Sequence, residues 1–252
     1  LMMHLSTNNI KCPIPVKDIE DKSIGEIKSK SSALLTFLEG KSISSIEEGH
    51  AYEIGKALAA MHTNVTNFKL KKKNDLSIDG WNGLLEANQK KLNLLEENLY
   101  INLRKELNRI ENLWPRDLPS GIIHADLFPD NVLFLNNKVS GLIDFYFSCN
   151  DFFAYDLSIC INAWCFNKEN KFSREIFKSL LKGYQELRSL SEKELEYLPV
   201  LCSGSALRFL LTRVDNWNNS NGIDIVNYQD PKEFLNRLKF HQQINDIKGY
   251  GF

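Results

Sequence analysis

GIIHADLFPDNVLFLNNKVSGLIDFYF, residues 121–147, holds one His, three Asp and three Asn around two short apolar runs. Residues 132–135 (VLFL) and 139–143 (VSGLI) read as strands, and the NNK between them is turn chemistry. The stretch is therefore a β-hairpin with polar groups gathered at its open end. With the loop centred on Asn137 and Lys138, Val132 falls opposite Ile143 and Asn131 opposite Asp144. An amide and a carboxylate then meet with their backbones about 5 Å apart. Hard oxygen donors at that separation suit Mg²⁺, which takes one or two protein oxygens beside substrate phosphates. Asp126 precedes Asn131 by five residues, in a loop stiffened by Pro129. A carboxylate beside a metal, yet not needed to bind it, is what the base of a phosphoryl transfer requires. Taken singly, each residue could equally cap a strand. As a set at this spacing they point to a site.

Around the hairpin the chain reads as mostly helical. Residues 13–38 are short strands, PIPV leading through a turn to the apolar run Ala33 to Phe37, and Gly40 breaks the pattern. A helix then follows, with Ser45 and Glu48 at capping-box spacing. Trp81 to Trp114 is amphipathic and predicts one or two helices ended by Pro115. Four more helices are expected after the hairpin: the apolar FFAYDLSICINAWCF, then SREIFKSLLKGYQELR, then a long segment bent or split near Pro199 and Gly204, and last one with Pro231 in its first turn.

The 252 residues are 43% hydrophobic and 25% charged, enough for one large domain or two small ones. A net charge of −1 provides no global field for nucleic acid or an anionic membrane. No apolar run approaches the ~20 residues that span a bilayer, and LMMHLSTNN lacks the pattern of a signal peptide. The five cysteines, at 12, 149, 160, 165 and 202, include no C-x-x-C pair, so buried thiols in a reducing cytoplasm are expected. Oligomeric state is left open.

HADLFPDN also fits H-x-D-x-x-x-x-N, and IDF follows after a strand, a turn and a strand, the layout of a kinase catalytic loop and its metal-binding Asp. Ala125 stands where many protein kinases carry Arg, and Tyr146 replaces the Gly of Asp-Phe-Gly. Eleven residues separate Asp144 from Asp156, too few for an activation loop, and no A-P-E follows. A kinase of small molecules fits better than a protein kinase. The chain resembles the aminoglycoside phosphotransferase and choline kinase superfamily, and within it the homoserine kinase branch. LLTFLEG, IGKALAAMH, the run from IDFYF to AWCF, and ALRFLLTRVDNW extend the resemblance over nearly the whole chain.

The resemblance implies an α+β, protein kinase-like two-lobed fold, with a truncated β-rich N-terminal lobe over residues 1–38. Residues 39–252 would form a mostly helical C-terminal lobe carrying the catalytic hairpin. It implies ATP and Mg²⁺ as cofactors and L-homoserine as the acceptor. Asp126 is the implied base, Asn131 and Asp144 the metal ligands, and the backbone of Phe37, Leu38 and Glu39 the adenine hinge. His124 and Asp156 are expected to brace the loop. For the substrate, Arg208 or Arg213 would meet the carboxylate and Asp151 the ammonium, each with an internal ion pair or a structural role as the alternative. At about 100° per residue the two arginines point about 140° apart, which argues against both facing one small ligand.

No Gly-rich phosphate-covering loop precedes the hinge, and Gly25 is the only glycine before Gly40. Missing strands would leave a sheet edge and an apolar face exposed, and phosphate positioning incomplete. A truncated or misassigned start is expected; the chain, if complete, is expected to be weakly active or inactive and prone to associate. Two alternatives stay open: a kinase of another alcohol such as choline or an aminoglycoside, and a catalytically impaired nucleotide-binding relative.

Overall fold

The computed structural model describes residues 1–217 and 230–252. A short helix α1 (Met2–Thr7) precedes a small two-stranded ribbon, β1 (Gly25–Ile27) and β2 (Lys30–Ser32), paired antiparallel. The ribbon extends outward only through the Pro15–Leu35 bridge and the hydrogen bonds from Val16 N to Leu34 O and from Thr36 N to Ile14 O. This is less strand than the sequence predicts for residues 13–38. Pro13 and Pro15 have no N–H to donate, and Ile14 N donates to the Thr36 hydroxyl instead. Ile19, Ile24, Ile27, Leu34 and Phe37 lie exposed on this part of the molecule.

Helix α2 (Glu48–Asn64) follows Gly40. Its N-cap is Glu47, whose backbone N–H donates to His50 Nδ1, so the Ser45–Glu48 capping box does not form. The expected one or two helices between Trp81 and Trp114 are three: α3 (Ile78–Ala87), α4 (Gln89–Leu95) and α5 (Leu99–Leu113). Asn88 and Asn98 make the breaks, the second in the left-handed region at φ 58°, a conformation asparagine tolerates better than most residues.

Strand β3 (Ser120–Ile123) leads to the hairpin β4 (Val132–Leu135) and β5 (Lys138–Leu142), and β6 (Cys149–Phe152) pairs back on β3. Then come α6 (Phe153–Trp164), α7 (Arg174–Leu187), α8 (Glu192–Asp215) and α9 (Pro231–His241). Every residue of α6 is buried, and so is every residue from Leu198 to Leu211 of α8. That burial keeps α8 unbroken through Pro199, where about 3 kcal/mol of helix stability is lost. Of the bend or split expected near Pro199 and Gly204, the split does not occur. All five cysteines are buried free thiols, and no helix among the described residues is long and apolar enough to cross a membrane.

Helices α2 and α7 approach closely enough to touch backbone to side. A Cβ on Gly183 would lie 2.0 Å from the Tyr52 carbonyl oxygen, and one on Gly55 2.1 Å from that of Leu180. Gly183→Ala is therefore expected to destabilise by about 2 kcal/mol through overpacking. Calorimetry should show Tm falling by about 5 °C; an unchanged Tm would mean the two helices can part without cost.

The hairpin register differs from the sequence reading by one residue at the base. Val132 pairs with Leu142 and Leu133 with Gly141, but Phe134 pairs with Val139, and the ladder shifts between. The loop is Asn136–Asn137, at φ 52° and 59°, the left-handed pair that a two-residue hairpin turn requires. A bulge then takes up one residue. Asn131 O consequently accepts from Ile143 N, 3.0 Å away, and Asp144 lies one position beyond the residue facing Asn131.

Candidate active site

The loop between β3 and β4 has almost every backbone group accounted for. His124 N and Ala125 N donate to the two oxygens of Asp156, both at 2.8 Å. Asp126 N donates to His124 Nδ1, and His124 Nε2 donates to Ile143 O. The Ala125 carbonyl accepts from Arg208 Nη1 at 2.6 Å, and that of Leu127 from Trp164 Nε1. Ala125 itself is held at φ 66°, a backbone state that costs a non-glycine residue of order 1 kcal/mol. Partners from α6 and α8 hold the loop in it.

Asp156 is fully buried and anchors this arrangement. Burial alone would raise its pKa, but hydrogen bonding from His62, with the His124 backbone N–H adding to it, holds the carboxyl below its ordinary value. His62 is itself pushed toward the neutral form, chiefly by burial. It donates from Nε2 to Asp156 and accepts at Nδ1 from the Tyr184 hydroxyl. His124 is likewise buried, with its pKa lowered by desolvation.

The side chain the loop presents is Asp126. Burial raises its pKa to about 6; Arg208 opposes the shift, and Asp144 and Asp130 add to it. Asn131 Nδ2 donates to the Asp126 carbonyl at 2.8 Å and to its carboxylate at 3.2 Å. With the amide so fixed, Asn131 Oδ1 has no partner among the described residues. Asp144 is exposed, in the left-handed region at φ 61°, and accepts one long hydrogen bond from Tyr146 N. One amide oxygen without a described partner and one exposed carboxylate holding a single long hydrogen bond thus stand near Asp126, the donor chemistry of a hard cation that completes its shell with phosphate oxygens and water. Among the described residues no group of three or more His, Cys, Asp or Glu could hold a metal alone.

The segment Phe37–Glu39 is tied to the same hairpin. The Leu38 side chain packs on Gly141, and Ser140 Oγ donates to Glu39 O at 2.7 Å. Lys41 and Phe134 exchange both backbone hydrogen bonds. Gly40 makes the turn at φ 128°, where a Cβ would strike Ser140 Oγ at 2.3 Å. The N–H groups of Phe37, Leu38 and Glu39 donate to no described residue.

A cleft of about 220 Å³ opens beside Asp126 and Asn131, walled by Phe128, Phe147, Arg208, Thr212 and Arg213. Both arginines reach it, against the expectation from their 140° separation. Arg208, Phe209, Thr212 and Arg213 form one broad face of α8, continued by its C-cap Asn216, and the two arginines are its edges. Arg213 is ion-paired with Glu233 of α9, which also holds Arg237. Asp151 does not line this cleft: it accepts from Asn74 Nδ2 at 2.7 Å and from its own neighbour Phe152 N. Thr212, Asn216 and Trp164 were not singled out from sequence. Their distance along the chain from Asp126 offered no signal.

The fold and this loop are those of a phosphotransferase. A family model described as "Phosphotransferase enzyme family" matches residues 1–190. The structure superposes on a choline kinase from Cryptosporidium parvum Iowa II with TM-score 0.68 and 16% identity, covering 96% of this chain and 75% of that one. Homoserine kinases from Agrobacterium fabrum and Rhizobium etli are each 46% identical over 251 residues, 100% of this chain and 78% of their own length. The chain therefore belongs to the phosphotransferase enzyme family and, within it, to the homoserine kinases. The expected α+β kinase-like class holds, with its small sheets and helical body.

Proposed function

We propose that this protein transfers the γ-phosphoryl group of ATP to the side-chain hydroxyl of L-homoserine, giving O-phospho-L-homoserine for threonine biosynthesis in the cytoplasm. The observation that carries this reading is the 46% identity to homoserine kinases across the whole chain. Asp126 is assigned as the base: it is half-buried, lines the cleft, and has a raised proton affinity, which favours accepting the hydroxyl proton as the phosphoryl group arrives. Asn131 and Asp144 would hold Mg²⁺, which when bound neutralises phosphate charge. The N–H groups of Phe37, Leu38 and Glu39, which donate to no described residue, would receive adenine, with residues 1–38 as the N-terminal lobe and 39–252 as the C-terminal one. His124 and Asp156 keep the loop in shape and take no part in proton transfer.

The test is ADP release by this chain with Mg²⁺-ATP and each of L-homoserine, choline and an aminoglycoside as acceptor. L-Homoserine-dependent release well above the other two supports the reading. Preference for another acceptor, or release that ignores the acceptor, overturns it.

A further inference from the structure

Arg208 is 2% exposed, yet no acidic side chain among the described residues pairs with it. The other buried arginine of the described region, Arg237, has a carboxylate in Glu233, which it shares with the half-buried Arg213. A buried cation without a counter-charge is costly, and such a cost persists where a ligand supplies the missing charge. Arg208 Nη1 is committed to the Ala125 carbonyl, while Nε is buried without a partner and Nη2 makes no hydrogen bond to a described residue. Its guanidinium stacks on Phe209, 4.5 Å from the ring centroid, and faces Phe147 at 5.6 Å. It is thus rigidly held, and it borders the cleft that also contains Asp126.

Resting on the homoserine reading of this cleft, we propose that Arg208, and not Arg213, receives the α-carboxylate of the amino-acid substrate. Among the described residues Arg213 is ion-paired with Glu233, whereas Arg208 forms no ion pair and only lowers the proton affinity of Asp126 from a distance. Planar guanidinium and planar carboxylate pair with strong directional hydrogen bonds. The same guanidinium grips the carbonyl of Ala125, the residue before Asp126. One group therefore sets the separation between the carboxylate anchor and the loop that bears the base. Substrate length, as well as charge, is read by it.

The experiment compares kcat/KM for L-homoserine with that for 3-aminopropan-1-ol, which is homoserine without its carboxylate, in the parent protein, Arg208→Gln, Arg208→Lys and Arg213→Gln. The parent is expected to prefer L-homoserine strongly. Arg208→Gln loosens the loop at Ala125 and lowers both rates, but should lose about a hundredfold more on L-homoserine than on the amino alcohol, so the preference collapses. Arg213→Gln should keep the preference even if its overall rate falls. Arg208→Lys retains the volume and the charge, and reads the same ratio if the Gln variant does not fold; it should keep part of the preference. Equal losses on both acceptors would make Arg208 a structural residue and overturn the proposal. So would a raised KM for ATP with the acceptor preference intact, which would assign the cation to the nucleotide. A parent that phosphorylates another alcohol but neither of these acceptors defeats the homoserine reading itself, a distinct outcome.

Discussion

Asp126→Asn is expected to lose about a thousandfold in kcat, to bind Mg²⁺-nucleotide within a factor of about three of the parent, and to melt at a higher temperature. The first two effects follow from its assigned role. An amide of the same shape fills the same space and can still meet Asn131, but it cannot take the hydroxyl proton. The third follows from its burial. The folded protein raises the Asp126 pKa from 3.8 to about 6. A raised carboxyl contributes stability below its unfolded pKa and loses it as pH rises through about 6, so at neutral pH the ionised group is a net cost. Removing the charge should recover about 1–2 kcal/mol, which differential scanning calorimetry without metal or nucleotide would read as a few degrees in Tm. Equal loss of nucleotide affinity and turnover would instead make Asp126 a metal ligand, and a lower Tm would contradict the net cost of burying its charge.

Asp156→Ala should have the opposite character, a loss of stability first and of activity as its consequence. Its carboxylate accepts from the N–H groups of His124 and Ala125 and from His62 Nε2. Truncation leaves these donors buried and unpaired, and frees Ala125 to leave φ 66°. The expected cost is about 3–5 kcal/mol, or about 10 °C in Tm. Asn does not restore it, because one of its two positions is itself a donor. The folded carboxyl is held below its unfolded pKa, so its stabilisation is full above that value and vanishes as pH falls through the lowered one. The parent should therefore lose stability in acid more steeply than Asp156→Ala. Parallel acid-denaturation curves for the two proteins would remove Asp156 from the role of anchor.

What the sequence determined by itself was local. HADLFPDN and IDF have their spacing written within about twenty residues, and turn and strand chemistry at that range shows through without knowledge of the rest of the chain. The apolar run of α6 stood out for the same reason, and Pro231 announced the start of α9. Tertiary structure decided what depends on contacts distant along the chain. Whether α8 breaks at Pro199 turned on its burial between neighbouring elements, and local propensity pointed the other way. The position of Asp144 turned on a bulge, whose extra residue leaves no mark in the hydrophobic pattern. Helical angle alone separated Arg208 from Arg213; their long side chains and the breadth of one helix face bring both to the same cleft. The pairing of Arg213 with Glu233, and the lack of one for Arg208 among the described residues, arises only when α8 meets α9 and the loop of Ala125. Charge balance in a core is a property of what packs together, and spacing along a chain does not encode it.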